Sequence, residues 1–397
     1  MGQMNFGNDQ LRAIKMAREW FKSGDFLRKP IFVIGGYAGT GKSTVLNQVL
    51  CELNIPNYKV AYVTYTGKAA VVLRKKGLNA ITIHKLIYRT MKTSSSGKPS
   101  FKLKKHIPSN IELICIDELG MVPNNMMLDI MTFHVPILGL GDPGQLPPVF
   151  GENVFIKYSD VFLSEVFRQS SDSSLLKAAT DIRNHIDLYS QKYHDDVKIF
   201  NNTNFKGDIL EYDQILCGSN KNRRDINVKC RELMGIKSKI PIKGEKVICQ
   251  MNNFNDSYSY ESNIEVCLVN GLTGVLLTDA VDIGQDVVFF MFGPEGMPGL
   301  SIPVIARKDS FEDNYESWDR VREKRKQGLE LKFYGDKIVN DFDFGYCITV
   351  HKSQGSEWPN VLVYDDCFYH NKSDYERWLY TAVTRARKEI TVVKYLD

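Results

Sequence analysis

The chain has 397 residues, 43% of them apolar and 25% charged, with a formal net charge of +4. That is an ordinary globular composition, and length alone suggests two to four domains. No apolar run is long enough to span a bilayer and no signal-peptide pattern opens the chain, so the expected location is the cytoplasm and no membrane partner is expected. Phe6 stands where a myristoylation motif wants Ser or Thr, which sets that anchor aside. Eight cysteines without a C-x-x-C pair, several inside apolar runs such as Ile114-Cys115-Ile116, read as reduced core residues rather than disulfides or zinc ligands. The basic clusters at 98–106, 221–231 and 320–326 read first as solvated faces.

In chain order, Asn8-Asp9-Gln10 ahead of Leu11, Ile14, Ala17 and Phe21 predicts a capped amphipathic helix. Residues 30–34 predict a short buried strand and 44–50 the opening of a helix. Between them lies Gly36-Tyr37-Ala38-Gly39-Thr40-Gly41-Lys42-Ser43, the spacing G-x-x-x-x-G-K-[ST] of a phosphate-binding loop. Glycines let successive backbone N–H groups turn toward phosphates, Lys42 reaches the β- and γ-phosphates, and the Ser43 hydroxyl suits Mg²⁺. A helix N-terminus beneath the phosphates adds partial positive charge. Gly36, Gly39, Thr40, Gly41, Lys42, Ser43 and Thr44 are therefore the expected cofactor contacts, for a nucleoside triphosphate with Mg²⁺.

Further buried strands are expected at 59–65, 111–116 and 135–140 and a helix at 69–75, an alternation that builds an α/β parallel sheet. Residues 89–110 break the rhythm. The turn signal Thr93-Ser94-Ser95-Ser96-Gly97-Lys98-Pro99 predicts a small inserted hairpin there. A second α/β unit starts near Ser164, with a strand at 215–217 and a helix at 222–233. From about Ile240 the texture changes to short β runs at 247–249, 266–269 and 275–277, with Asn270-Gly271 and Thr273-Gly274 as hairpin punctuation. A charged surface helix is expected at 318–331, and α/β texture returns at 346–350. A β-rich segment bracketed by α/β pieces reads as an inserted domain.

Asp117-Glu118 follows a strand beside the phosphate loop. Phosphoryl transfer needs a carboxylate to hold Mg²⁺, assigned to Asp117, and a group to position or deprotonate the attacking water, assigned to Glu118. Gln145, in Gly141-Asp142-Pro143-Gly144-Gln145-Leu146-Pro147-Pro148, follows the next strand and is suited to sense a γ-phosphate. Arg168 and Arg385 are candidates for transition-state stabilisation, an effect of roughly 10³–10⁵ in rate. Residue chemistry alone does not choose among the arginines.

Taken in order, these motifs resemble the superfamily-one helicases of the 5′-to-3′ branch, the group of the phage Dda helicase and RecD-type enzymes. Asn8-Asp9-Gln10 with Ala13 is similar to the adenine-reading Q motif. Thr66-Gly67-Lys68-Ala69-Ala70 and Thr82-Ile83-His84-Lys85-Leu86 resemble two early DNA-contacting motifs. Asp117-Glu118, Gly141 to Val149, Leu163 to Gln169, Tyr346 to Trp358 and Trp378 to Arg387 match the later motifs. The resemblance implies two RecA-like parallel-sheet motor domains, over 1–163 and over 164–239 with 341–397. It also implies a pin hairpin at 89–110 and an SH3-like β-domain at 240–340. By the same resemblance Gln10 reads adenine, Gly355 and Glu357 contact the nucleotide, and Arg168 and Arg385 reach the γ-phosphate from the second motor. Thr66, Lys68, His84, Thr349 and His351 lie along single-stranded DNA, with Phe101 as a pin or stacking residue or a hairpin core contact. The implied activity is an ATP-dependent DNA helicase acting at single-strand/duplex junctions, functional as a monomer, with replication or recombination proteins as candidate partners. An ATP-gated nucleic-acid-binding or loading protein and an RNA-directed helicase are the alternatives. Two positions depart from the family pattern: Tyr65 stands where proline is usual, and Gly120 where serine is usual.

Overall fold

The structure is a computed structural model and describes residues 6–394 except 76, 92–99, 149–150, 166–172, 189–192, 194–195, 261–263, 312–332, 368 and 370. Helix α1 (Asn8–Lys22) begins where its sequence signal lies, but the capping residue is Gly7, whose N–H donates to Gln10 Oε1 at 3.1 Å. Its buried stripe runs through Gln10, Ala13, Ile14, Ala17 and Trp20. Leu11, expected on that stripe, falls beyond its edge and is exposed.

The first α/β body follows as β1 (Ile31–Gly36), α2 (Lys42–Leu53), β2 (Val60–Thr64), α3 (Gly67–Lys75), β3 (Ala80–Thr82) and α4 (Ile83–Ile87). A hairpin, β4 (Tyr88–Met91) and β5 (Ser100–Leu103), interrupts before β6 (Leu113–Asp117), α5 (Asn124–Met131), β7 (Ile137–Gly141) and β8 (Val161–Leu163). The sheet order is β3-β2-β6-β7-β1-β8, every pairing parallel. Both faces are covered: Ala13, Val45 and Ala70 pack on one side, Ile83 and Met127 on the other. That double burial is why β1 reads as an unbroken apolar run rather than an alternating one. The expected small hairpin is present, with Tyr88 opposite Leu103 and Thr90 opposite Phe101.

The second body takes α6 (Ser174–Arg183), β9 (Val197–Asn201), β10 (Gln214–Cys217) and α7 (Asn220–Leu233) before the chain leaves it. The inserted segment forms β11 (Lys246–Cys249), β12 (Asn253–Tyr260), β13 (Ile264–Leu268), β14 (Thr273–Leu276), β15 (Val281–Gly284), β16 (Val287–Pro294), β17 (Ile302–Arg307), β18 (Phe333–Tyr334), β19 (Lys337–Ile338) and β20 (Phe342–Phe344). The chain returns through β21 (Cys347–Thr349), α8 (Val350–Ser353), β22 (Trp358–Asp365), α9 (Lys372–Val383) and β23 (Ala386–Lys394). The second parallel sheet is ordered β21-β10-β22-β23-β9. The insertion is built on an antiparallel sheet, β15-β16-β14-β11-β20 with β17 against β16, packed around Phe290, Phe292, Phe311, Phe342 and Phe344. The fold class is therefore α/β with two RecA-like parallel sheets and a β insertion. The helix expected at 318–331 and Arg168 lie outside the described residues.

Two readings change. Asn270-Gly271 does turn, with Gly271 at φ 88°, but Thr273-Gly274 lies within β14. A Cβ on Gly274 would stand 2.3 Å from the Gly293 carbonyl oxygen, so the close approach of β16 demands this glycine, not a turn. The basic cluster at 221–231 is not a solvated face throughout. Arg231 Nε donates to Glu245 Oε1 at 2.8 Å, and Arg223 pairs with Asp343, all four side chains buried. Glu245 stands at the start of the inserted sheet and Asp343 at its end, so one helix of the second body clamps both ends of the insertion. The Tyr346 hydroxyl and the Ile242 N–H also donate to Glu245, at 3.2 and 2.8 Å. Arg231→Ala leaves that carboxylate buried without its cation, and a loss of about 3–5 kcal/mol in a denaturant melt is expected; a loss below about 1 kcal/mol would show that the clamp is not structural.

Candidate nucleotide and nucleic-acid site

The two parallel sheets face each other with their functional loops across a cleft of about 910 Å³. From the first body come Gln10, Gly39, Gly41, Lys42, Ser43, Thr44, Lys68, Asp117, Glu118 and Gln145; from the second, Gly355, Glu357 and Arg385. The phosphate loop sits between β1 and α2 because Gly39 and Gly41 take left-handed backbone angles, φ 80° and 77°. A Cβ on Gly41 would also stand 2.5 Å from Gln10 Nε2. Lys42 Nζ donates to the Gly36 and Tyr37 carbonyls at 2.8 Å each, so the ammonium lies against the loop's own oxygens. Thr40 is fully buried, its hydroxyl donating to Tyr37 O at 2.9 Å.

Gln10 is buried and spans two elements. It accepts from Gly7 and donates through Nε2 to Thr40 O at 3.1 Å, tying α1 to the phosphate loop. Asp117 ends β6, and Glu118 follows in a left-handed conformation, φ 53°, uncommon outside glycine. The Glu118 N–H donates to Asp117 Oδ1 at 3.0 Å. Burial, then the Asp117 charge, push the Glu118 carboxyl up to about 7, against the opposing pull of Arg385 and Lys42. Gln145 follows β7 on the cleft wall. Arg385 is buried and held within its own body, donating through Nε to Thr381 O at 2.9 Å and Nη1 to Ser356 O at 3.0 Å. A Cβ at Gly120 would make only ordinary contact with Asp142 O at 3.7 Å, so packing does not impose that departure from serine.

Several contributors carry no role assigned from the sequence: Gln354, Tyr380 and Thr381 lie within the matched motifs, and Glu295 lies outside them. Tyr380 of α9 crosses the cleft: its hydroxyl donates to Asp142 Oδ2 at 2.7 Å and accepts from the Ala38 N–H at 3.1 Å. The Thr381 hydroxyl accepts from the Leu146 N–H at 2.9 Å, and Gln354 Nε2 donates to Leu146 O at 2.9 Å. The inserted domain contributes Glu295, which lines the cleft. It accepts from Trp358 Nε1 at 2.9 Å and from the Thr273 hydroxyl. Burial alone would raise the Glu295 carboxyl; Lys68, with those hydrogen bonds, outweighs it and holds the group below the usual range.

That arrangement places Lys68 at the cleft. Expected along DNA, it lines the nucleotide cleft, with Nζ 2.8 Å from the Thr273 hydroxyl, 3.6 Å from Glu295 Oε2 and 5.0 Å from the Trp358 ring centroid. The remaining nucleic-acid candidates are elsewhere. His84 is ringed by Tyr65, Tyr88 and Phe101, at centroid distances of 6.0, 5.6 and 5.4 Å. Burial pushes the His84 imidazole below the ordinary histidine range. Phe101 is 40% exposed while touching Tyr88 and His84, so it is both a hairpin contact and an available ring face. Thr66 accepts from the Ala69 N–H at 3.2 Å, opening α3. Thr349 is buried at the start of α8, and His351 is lowered by burial. Among the described residues no helix is long and apolar enough to cross a membrane.

A family model described as an AAA domain matches residues 12–201, and one described as a UvrD-like helicase C-terminal domain matches 344–393. The ATP-dependent RecD2 DNA helicase of Deinococcus radiodurans is 26% identical over 90% of this chain and 46% of its own length. The chain thus spans less than half of that relative. Among solved structures, a Pif1 helicase described in unwinding at forked double-stranded DNA superposes with TM-score 0.60 at 17% identity, over 99% of this chain and 93% of that one. The Bacteroides Pif1 bound to single-stranded DNA gives 0.57 at 17% identity, over 100% and 93%. These two are likenesses of fold.

The position of Lys68 separates two expectations. Lys68→Ala weakens nucleotide binding at least about threefold while nucleotide-free affinity for single-stranded DNA stays within about twofold, as read by titration of each ligand. The opposite pattern would return Lys68 to the nucleic-acid track.

Proposed function

We propose that the chain is a superfamily-one helicase that hydrolyses ATP to move 5′ to 3′ on single-stranded DNA and to unwind duplex at a single-strand/duplex junction, a reading supported by the family-model matches and the RecD2 relative. The observation that carries this reading is the convergence of Lys42, Glu118, Gln145 and Arg385 on one cleft from two separate parallel sheets. Gln10 reads adenine with the N–H and lone pair that its internal hydrogen bonds leave over. Ser43, Thr44 and the loop amides take the phosphates, and Gly355 and Glu357 approach the nucleotide from the second motor. Glu118, whose proton affinity is raised by burial, orients the attacking water and accepts its proton near neutral pH. Gln145 senses the γ-phosphate, while Arg385, with Arg168 by family resemblance, stabilises the charge of the transition state.

The donor set fits Mg²⁺. A hydroxyl from Ser43 and a carboxylate from Asp117 on one cleft wall are hard oxygen ligands of the kind magnesium takes alongside phosphate and water. Ser43 and Asp117 would hold the ion, which would supply charge neutralisation to the phosphates.

The cycle follows from the division of labour. ATP draws the second motor toward its γ-phosphate, and hydrolysis removes the attraction, so alternating closure and opening becomes stepping. Motor one is 1–163, with 89–110 as the pin; motor two is 164–239 with 341–397; residues 240–340 form an SH3-like domain. Thr66, His84, Thr349 and His351 line the strand, and Phe101 offers its exposed face to a base at the fork. Base–aromatic stacking of about 1–3 kcal/mol per base compares with about 1.4 kcal/mol per separated base-pair step. The protein acts as a monomer in the cytoplasm, alongside replication or recombination proteins.

The direct test is ATP turnover with and without single-stranded DNA or RNA, with Lys42→Ala as the inactive control. Stimulation by DNA is expected; stimulation by neither polymer removes the motor reading, and stimulation by RNA alone moves it to the RNA-directed alternative. Unwinding should require a 5′ single-stranded tail, and dependence on a 3′ tail would reverse the polarity. Arg385→Ala is expected to lower kcat by about 10³ or more with nucleotide binding largely retained, measured by steady-state turnover beside direct titration.

A further inference from the structure

Tyr37 occupies a position of the phosphate loop where the motif accepts any residue, and nothing in the nucleotide chemistry above uses its side chain. Its ring is nevertheless firmly held. The guanidinium carbon of Arg183, in the last turn of α6 on the second motor, lies 3.4 Å from the ring centroid. Phe162 meets the ring edge-on, with centroids 4.7 Å apart. The same guanidinium is 5.8 Å from the Tyr380 ring. Arg183 Nη2 donates to the Thr180 hydroxyl at 2.9 Å, whereas its Nε is buried with no hydrogen-bond partner among the described residues.

A buried N–H without an acceptor is unfavourable. Here the guanidinium gives up that hydrogen bond for a face-on position over a tyrosine, which a planar, weakly hydrated cation occupies better than an ammonium. The next loop residue is held from the same side, because the Ala38 N–H donates to Tyr380. Two successive residues of the phosphate loop are thus fixed by the second motor, one by a cation over its ring and one by a hydroxyl on its amide.

We propose that Arg183 is a positioning residue for the nucleotide site: through Tyr37 it braces the phosphate loop from the opposite motor, so the loop is shaped for phosphates while the two motors are apposed. Separation of the motors withdraws the brace and slackens the loop. Nucleotide affinity and motor separation are thereby linked at the loop itself, independently of any arginine on the γ-phosphate.

This inference rests on the nucleotide reading of the cleft, so the test measures binding directly, with a non-hydrolysable ATP analogue carrying a fluorescent group on its ribose. Arg183→Ala and Tyr37→Leu are each expected to weaken binding of the analogue by about threefold to tenfold. The double variant should be no weaker than the weaker single, and Arg183→Lys should recover part of the loss. In DNA-stimulated turnover, Arg183→Ala should raise the KM for ATP and leave kcat within about twofold. Additive losses in the double variant, a fall in kcat at unchanged KM, or analogue affinities equal to wild type would each overturn the brace. If the wild-type chain binds no analogue, the nucleotide reading falls and the brace with it; if wild type binds and the variants match it, only the brace falls.

Discussion

The contact on which the cleft depends is the hydroxyl of Tyr380, shared between the carboxylate of Asp142 and the amide of Ala38. Each parallel sheet has its own buried core, and two apolar residues of the first body cross the gap, Leu146 into the core of the second sheet and Val71 into that of the insertion. Beside them runs a short series of polar contacts: Tyr380 to the phosphate loop, Thr381 and Gln354 to Leu146, and Lys68 to Glu295. Such contacts form and break at modest net cost, because water replaces each lost partner. A covalently continuous core would transmit force but would not open.

The chemical groups follow from the same geometry. Parallel strands end together at one edge of a sheet, so the loops after β1, β6 and β7 bring Lys42, Asp117, Glu118 and Gln145 side by side without specific long-range design. The second sheet presents Arg385 from its own edge, already oriented by Thr381 and Ser356. An arginine so constrained loses little entropy when it engages an anion.

Much of this was readable from the chain because the signals are local. The glycine spacing of 36–43, the apolar runs at 31–34 and 113–116, and the carboxylates directly after a strand need no knowledge of distant residues. What escaped notice depends on partners far away in sequence. Arg223 and Arg231 look like solvated charges until Asp343 and Glu245 close over them. Lys68 sits in a motif associated with DNA, yet Glu295 and Trp358, from two other parts of the chain, draw it into the cleft. Gly274 resembles a turn residue because the approach of Gly293 is invisible in the sequence. The antiparallel core of the insertion was legible as β texture, but its attachment was not.

That attachment has a mechanical meaning. The inserted sheet departs at Glu245 and returns at Asp343, and both points are bolted by buried guanidinium groups to a single helix, α7. A load applied to the insertion therefore passes into that helix and the sheet beneath it rather than into the connecting loops. The β insertion is thus mounted on the second body, with Glu295 at its inner end against Lys68 of the first. Any rotation of that body would swing the insertion as one arm, and would carry with it whatever the arm touches.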